Sequence, residues 1–425
     1  MPGKIHTTSK QTPKWLIILC LIFAGEMIFS LPFHVPRFFR PTLLEVFNLN
    51  NAQFGDATAI YGIMAMLSYF PGGILADRFS ARKLMSLSLI ATSLGGIFFA
   101  MIPCQLVLSV IFGYWGMTTV FLFWAAMIRA TREWGGRLAQ GRAFGLLDGG
   151  RGLAAAGAAS IAVLVLDAFL PEDLSIATLS NRTTAIQSVI LFYSGMTFLA
   201  AVIVWIFIPD SQSGSNGSGK RSLSGIQYVI RNRAVWLQAI IVVCAYCGYK
   251  GLDFYTLYAV DILGWDEVRA AQWMSNATYL RPIAAIGAGF LADRFTSRKI
   301  ISITFGLVLI SYITLGIITP EVKFLNIIYG NLIFTFIAAY ALRGVYFALI
   351  GETNIPGIYT GTAVGLISVI GFTPDIFFYA VGGRIIDASP GLVGFHNYYL
   401  FLGVFAVLGL LATLILTYRR AIPQH

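Results

Sequence analysis

Twelve times along its 425 residues the chain runs for about 20 residues with few or no charges. That length lets an α-helix cross a hydrocarbon layer of roughly 30 Å. The runs cover residues 15–35, 55–76, 84–103, 105–128, 143–169, 185–208, 235–260, 268–292, 300–318, 324–350, 361–383 and 396–418. They are continuous rather than alternating, which excludes the strands of a barrel, and in lipid each helix satisfies its own backbone N–H and C=O groups. The expected fold is an all-α membrane protein of twelve transmembrane helices.

Composition agrees with a lipid solvent. The chain is 57% hydrophobic and 11% charged, with a mean hydropathy of +0.77, whereas soluble domains carry about 25% charged residues. The formal charge of +10 would suit nucleic acid. Lys and Arg instead fall in short loops with no long basic tract, so the bilayer is the expected partner and nucleic acid is not. Cys20, Cys104, Cys244 and Cys247 lie in or beside apolar runs, which implies packing rather than disulfides or redox chemistry. Lys4, Lys10 and Lys14 precede the first run as in a signal peptide, but no small-residue cleavage site closes it, so it reads as a retained span.

Loop charges set the orientation. Glu45, Glu172, Asp173, Asp261, Asp266 and Glu267 occupy the turns after odd-numbered spans, while Arg78, Arg82, Lys83, Arg132, Arg137, Arg142, Arg294, Arg298 and Lys299 occupy those after even-numbered spans. Basic loops stay in the cytoplasm, which places both termini there in a multi-pass protein of the inner membrane. A monomer is expected.

One charged turn is written twice: Gly73-Ile-Leu-Ala-Asp77-Arg78-Phe-Ser-Ala-Arg82-Lys83 and Gly289-Phe-Leu-Ala-Asp293-Arg294-Phe-Thr-Ser-Arg298-Lys299. The two Asp residues are 216 apart; Gly145 and Gly365 are 220 apart, and Arg129 and Arg343 are 214 apart. A near-constant offset of half the chain length signals internal duplication. A Gly- and Ser-rich stretch from Asp210 to Arg221 divides the copies. The expected organisation is an N-terminal six-helix bundle (1–209), a cytoplasmic linker (210–234) and a C-terminal six-helix bundle (235–425).

The doubled Gly-x-Leu-Ala-Asp-Arg-x-x-x-Arg-Lys turn after spans two and eight resembles the signature of the major facilitator superfamily of secondary transporters. The resemblance implies two bundles rocking about a central cavity, with a gate on the cytoplasmic side built from Asp77, Arg78, Arg82, Asp293, Arg294 and Arg298, and from Arg129 and Arg343 at the ends of spans four and ten. Asp77 and Asp293 would meet neighbouring helix N-termini, where free N–H groups favour a carboxylate.

A charge near the middle of a bilayer costs at least about 2.5 kcal/mol and is a functional candidate for that reason. At about 1.5 Å of rise per residue, Glu26, Lys250, Arg281 and Asp375 lie near the midplane, with Arg151 almost as deep and Asp148 a turn shallower. Asp148 and Arg151, like Lys250 and Asp253, are three residues apart, which leaves two readings open: each pair neutralises itself on one helix face, or its members serve the site. Glu26, Arg281 and Asp375 have no such neighbour and need partners elsewhere. Arg151, Lys250 and Arg281 come from both halves and suit an anion, so they are the expected substrate-binding residues. Glu26, Asp375, Asp148 and Asp253 are the expected proton-coupling acids, with Glu26 placed as an isolated carboxylate. His34, Arg37 and Arg40 recur every third residue and would form a basic strip at the outer mouth. Gly145, Gly149, Gly152 and Gly157 are spaced for close helix contact.

Tyr249-Lys250-Gly251-Leu252-Asp253, and Arg129 with Trp134, loosely resemble the organic-anion and organophosphate branch of the same superfamily. That branch's first-span arginine is replaced here by Glu26, which favours proton-coupled uptake over simple phosphate exchange. The function expected is secondary active transport of a small organic anion, by proton coupling or exchange, without cofactor or metal. A proton-driven exporter of cationic drugs and a non-transporting membrane sensor are the alternatives. An enzyme is not expected: no metal-ligand cluster, phosphate loop or nucleophile with its base stands out.

Overall fold

The computed structural model describes residues 13–136, 140–210, 223–352, 355 and 360–421, and their regular structure is helical throughout. Grouped across short breaks, the described helices make twelve long rods, with the short helices Arg40–Val46 and Leu223–Arg231 and a few 3-10 turns in the connections. Rod 1 is Lys14–Met27 continued by Ser30–Phe38 at a bend of 46°. Rods 2 to 6 are Asn51–Arg78, Ala81–Ala100, Gln105–Gly135, Gln140–Ala168 and Leu179–Phe207. Rod 7 is Arg233–Asp261, and rod 8 joins Glu267–Thr278 to Leu280–Arg294. Rods 9 and 10 are Ser297–Ile317 and Leu325–Val345, rod 11 joins Thr360–Gly371 to Pro374–Ala388, and rod 12 is Leu392–Ala421.

Local chemistry sets several ends. Rod 2 begins at Asn51, four residues before the apolar run, because Asn50 and Gln53 form a reciprocal capping box. Thr178 and Asn181 start rod 6 in the same way, and the side chains of Ser80, Asp266 and Thr296 cap rods 3, 8 and 9. Breaks fall beside prolines: Pro32 lies in the π-helical turn Ser30–His34, Pro282 follows the break in rod 8, and Pro374 opens the second part of rod 11. Pro356 lies outside the described residues, as does most of the Gly- and Ser-rich linker.

Among the described residues nine helices are long and apolar enough to cross a membrane, and the bent rod 1 makes a tenth. Rods 2 and 8 both pack on rods of the opposite half. Rods 1, 5 and 6 pack together, as do 2 with 4 and 3 with 6; in the second half 7 and 9 pack on 12, and 8 on 10. Across the halves, rod 2 packs on the second part of rod 11, and rod 5 on rod 8.

The rod 2 and rod 11 contact is backbone to backbone. A Cβ on Gly62 would collide with the main chain of Asp375, and one on Gly383 with that of Asn51. The Gly62 contact borders the central cavity, and the Gly383 contact lies at the far end of rod 2, opposite the two signature turns. On that far side Arg384 makes a forked pair with Asp56 at 2.7 and 2.9 Å, and Arg182 joins Glu267 at 2.9 Å and Glu45 at 3.2 Å. Asp387 on rod 11 accepts the Ala52 N–H at 2.7 Å and the Asn51 amide at 3.0 Å, tying down the first turn of rod 2. Described ion pairs between the halves lie only here or in the middle; on the signature side, Arg82 with Asp210 and Arg298 with Glu352 each stay within one half. The glycine expectation for rod 5 is corrected accordingly. Gly145, Gly149 and Gly157 have open space where a Cβ would stand, and of that set Gly152 alone meets another rod, at Arg281 and Pro282.

Gly62→Leu is expected to force the far side open. In cysteine-free protein carrying Thr58→Cys, which replaces a buried residue of rod 2, labelling in nanodiscs by a polar maleimide should rise about tenfold over the Gly62 parent, by an opening equilibrium shifted about 1.4 kcal/mol. Unchanged labelling would show that the close approach does not hold the closure.

Candidate functional site

Between the halves lies a cavity lined from rod 1 by Glu26, Phe29, Phe33, His34 and Arg37, from rod 2 by Tyr61 to Tyr69, from rod 4 by Val120 and Trp124, and from rod 5 by Arg151. The second half contributes Tyr246, Tyr249 and Lys250 from rod 7, Arg281 from rod 8, Arg343 from rod 10, and Phe372 and Asp375 from rod 11. Irregular helix builds part of this wall. The π-helical segments Ser30–His34 and Thr118–Trp124 carry Phe33, His34, Val120 and Trp124, all cavity-lining. An extra residue per turn re-aims side chains that a regular helix would turn elsewhere.

Charges are distributed in pairs that run between rods. Glu26 accepts from Arg151 Nε at 2.9 Å through one oxygen; its other oxygen faces His34 Nε2 at 3.1 Å and Arg281 Nη1 at 3.6 Å. With Nε2 donating to Glu26 and Nδ1 unpartnered, His34 has the bonding of a neutral ring. Arg281 also reaches Asp148 at 3.3 Å, while its Nε has no partner. Lys250 pairs with Asp375 at 2.8 Å, and the Tyr246 hydroxyl donates to the same carboxylate at 3.1 Å. Arg37 pairs with Asp253, which also accepts from the Tyr379 hydroxyl, and Arg37 donates to the Tyr249 hydroxyl at 2.8 Å. Aromatic faces complete the setting: the Lys250 ammonium stands 3.7 Å from the Phe33 ring centre, and the Arg343 guanidinium 4.2 Å from that of Tyr249.

The sequence-derived residues fall as follows. Arg151, Lys250, Arg281, Glu26 and Asp375 all line this one cavity, while Asp148 and Asp253 are not among its lining but pair with Arg281 and Arg37, which are. Neither local pair forms. Asp148 and Arg151 take partners on rods 8 and 1, and Lys250 and Asp253 take partners on rods 11 and 1, because the charged ends meet across the interface rather than along one face. Glu26 is not isolated. The basic strip at an outer mouth is also corrected: His34, Arg37 and Arg40 are 2%, 4% and 0% exposed, since the chain beyond the bend of rod 1 at residues 28–29 packs inside the molecule. Arg40 donates to Asn51 and lies 4.0 Å from the Phe254 ring centre.

The turn residues sit apart from the cavity. Arg78, Asp293 and Arg294 are exposed, and the side chain of Asp77 lies outside the described residues. Arg82 pairs with Asp210, and Arg129 donates to the carbonyls of Ala76 and Phe79 at the end of rod 2. At the second turn the helix N-terminus is met by Glu352, not Asp293: its carboxylate accepts the Ser297 N–H and pairs with Arg298 at 2.8 Å. Partial burial works to raise its pKa, but these bonds outweigh it and hold the carboxyl below its ordinary range. Arg343, expected with the gate, lines the cavity. Arg37 was placed at the wrong depth, although a signal existed: Arg37 and Asp253 are 216 residues apart, the offset of the two signature turns.

A sequence profile described as the Major Facilitator Superfamily matches residues 15–379. The chain belongs to that superfamily. Its fold is the superfamily's all-α fold, and it is a secondary transporter of the membrane. Among its relatives are two inner membrane proteins of Escherichia coli K12, YqcE (28% identical, covering 91% of each chain) and YihN (26% identical, covering 96% of each). A probable nitrate/nitrite antiporter of Thermus thermophilus, NarK1, is 25% identical over 70% of this chain and 64% of its own. Solved structures of similar fold include a bacterial homologue of the human lysosomal transporter Spinster, inward-facing and unoccupied (TM-score 0.71, 15% identity, 95% of this chain and 96% of that one). The nucleoside transporter NupG also matches (TM-score 0.69, 12% identity, 95% and 98% covered). This superfamily and these neighbours are transporters, not enzymes.

Removing one member of a buried pair strands the other, at about 3 to 5 kcal/mol. Lys250→Ala is therefore expected to lower thermal stability in detergent sharply, and Asp375→Ala in the same chain to restore much of it. A coupling of at least about 1 kcal/mol is expected from the double-mutant cycle, and strictly additive losses would show that the pair does not form.

Proposed function

We propose that the protein moves a small organic anion across the inner membrane by alternating access, driven by protons or by anion exchange. The observation that carries this is the convergence of basic side chains from both halves, Arg37 and Arg151 from the first and Lys250, Arg281 and Arg343 from the second, on one aromatic-walled cavity. Guanidinium and ammonium groups held in a low-dielectric cleft favour carboxylate or phosphate oxygens. The relative described as a probable nitrate/nitrite antiporter supports an anionic cargo. A cation exporter would have to overcome the same basic groups, so its site chemistry is disfavoured.

Arg151, Lys250 and Arg281 bind the cargo. Arg281 is the most available of them, held at 3.3 and 3.6 Å by its two acids and with an unpartnered Nε. An anion that takes Arg151 and Arg281 displaces Glu26, and a proton then neutralises the displaced carboxylate in its buried site. Asp375, Asp148 and Asp253 stand in the same relation to Lys250, Arg281 and Arg37, and release of each acid accompanies the swing of its partner. With both termini in the cytoplasm, the far side is periplasmic and the closed rods 2 and 11 hold a cytoplasm-facing state. The bundles 1–209 and 235–425, joined by 210–234, rock to reverse it. The turns bearing Asp77, Arg78, Arg82, Asp293, Arg294 and Arg298, with Arg129 behind the first, then close the cytoplasmic side.

Counterflow in proteoliposomes tests the proposal. A labelled anion should exchange against the same unlabelled anion, and Arg281→Ala or Lys250→Ala should reduce the rate at least about tenfold in protein that still folds, given the strength of charged hydrogen bonds. Binding without exchange would indicate a sensor. For Glu26→Gln, exchange should persist in part while accumulation driven by a pH gradient is lost; full accumulation would remove Glu26 from coupling.

A further inference from the structure

The charges around the cavity do not cancel, and the remainder has an address. Arg37, Arg151, Lys250 and Arg281 each have a carboxylate partner, and His34 has the bonding of a neutral ring. Among the described residues Arg343 is the lining basic side chain with no carboxylate within 4.0 Å. Its Nη1 is buried and makes no hydrogen bond. What holds the guanidinium is the Tyr249 ring, 4.2 Å away, and that ring is fixed from its other contact by Arg37, which donates to its hydroxyl at 2.8 Å. An aromatic face orients a cation without neutralising it.

We propose that Arg343 is the primary anchor for the cargo and that the cargo is an organic monoanion, a monocarboxylate or an equivalent singly charged oxyanion. This rests on the anion-transport reading above and narrows it. One negative charge satisfies the orphan Nη1 and balances the cavity while every existing pair stays intact; a second, on first binding and before Glu26 is displaced and protonated, would be buried without a counter-charge. The fork of a guanidinium suits the two oxygens of a carboxylate. Phe29, Phe33, Trp124 and Phe372 supply an apolar wall for the body of the molecule. Arg343 stands two residues from the end of rod 10 on the signature side, so it meets an anion entering from that side before the paired arginines do.

Calorimetric titration of purified protein in nanodiscs with matched probes tests this: benzoate against terephthalate and benzamide, and butyrate against succinate and butyramide. Saturable binding of a monoanion is expected, with its dianion at least about tenfold weaker and its amide undetectable. Arg343→Gln should weaken the monoanion at least about tenfold, and Arg343→Lys less, since it keeps the charge and loses the fork. Asp148→Asn, at a side chain 46% exposed, adds one net positive charge and should narrow or invert the preference over the dianion. If Arg343→Gln does not fold, Arg343→Lys and Asp148→Asn decide the matter. A dianion bound as tightly as its monoanion by the unaltered protein, or binding indifferent to Arg343, overturns the proposal while leaving anion transport standing. If no anion in the panel binds, both readings fall.

Discussion

A charge buried in a membrane protein must find its opposite, and that requirement organises this molecule. Glu26 is the centre of it. One carboxylate is shared by His34 on its own rod, Arg151 on rod 5 and Arg281 on rod 8, so it fixes the bend of rod 1, the approach of rod 5 and the contact between halves together. Lys250 with Asp375 and Arg37 with Asp253 extend the same logic to rods 7 and 11 and to the far end of rod 1. Such pairs contribute little net stability, because desolvation offsets most of the Coulomb attraction. Their value is geometric: each specifies which rods face each other, and each can be remade with a different partner without leaving a charge bare.

The far-side closure depends on a different constraint. Rods 2 and 11 approach until main chain meets main chain at Gly62 and Gly383, which larger side chains forbid. Close approach also accommodates the polar residues that rods 2 and 8 carry. Their polar residues face other rods: Asp56 meets Arg384, Asn51 meets Asp387, and Arg281 meets Glu26. A helix that turns its polar face to a partner across a cleft needs fewer apolar residues than one surrounded by lipid.

Much of this was legible in the sequence. The twelve rods follow from run length, and counting rise per residue brought Glu26, Arg151, Lys250, Arg281 and Asp375 to one depth, where the structure joins them in one cavity. Partner choice was not legible. Spacing of three along a helix suggested Asp148 with Arg151 and Lys250 with Asp253, but long side chains at an interface reach across it more readily than along it. Two cavity residues escaped for separate reasons. Arg37 follows Pro32 and a π-helical turn, so a regular helical count misplaces it. Arg343 lies near the end of its rod, and depth reckoning treats such a position as peripheral; it does not register that a cleft closed on the far side extends toward the signature side.

Arg37 and Asp253 carry the point further. They are separated by the same 216 residues as the two signature aspartates, so they hold matching places in the two copies and meet where the copies face each other. Identical residues at matching places would put like charge against like: two arginines or two aspartates, each costly when buried. A salt bridge at such a position therefore requires that the copies differ there. The signature turns behave oppositely. They keep the same residues in both halves, and in the structure each stays within its own half, Arg82 on Asp210 and Arg298 on Glu352. At this pair the copies differ where the halves touch, and at the signature turns they agree where, in this structure, the halves do not meet.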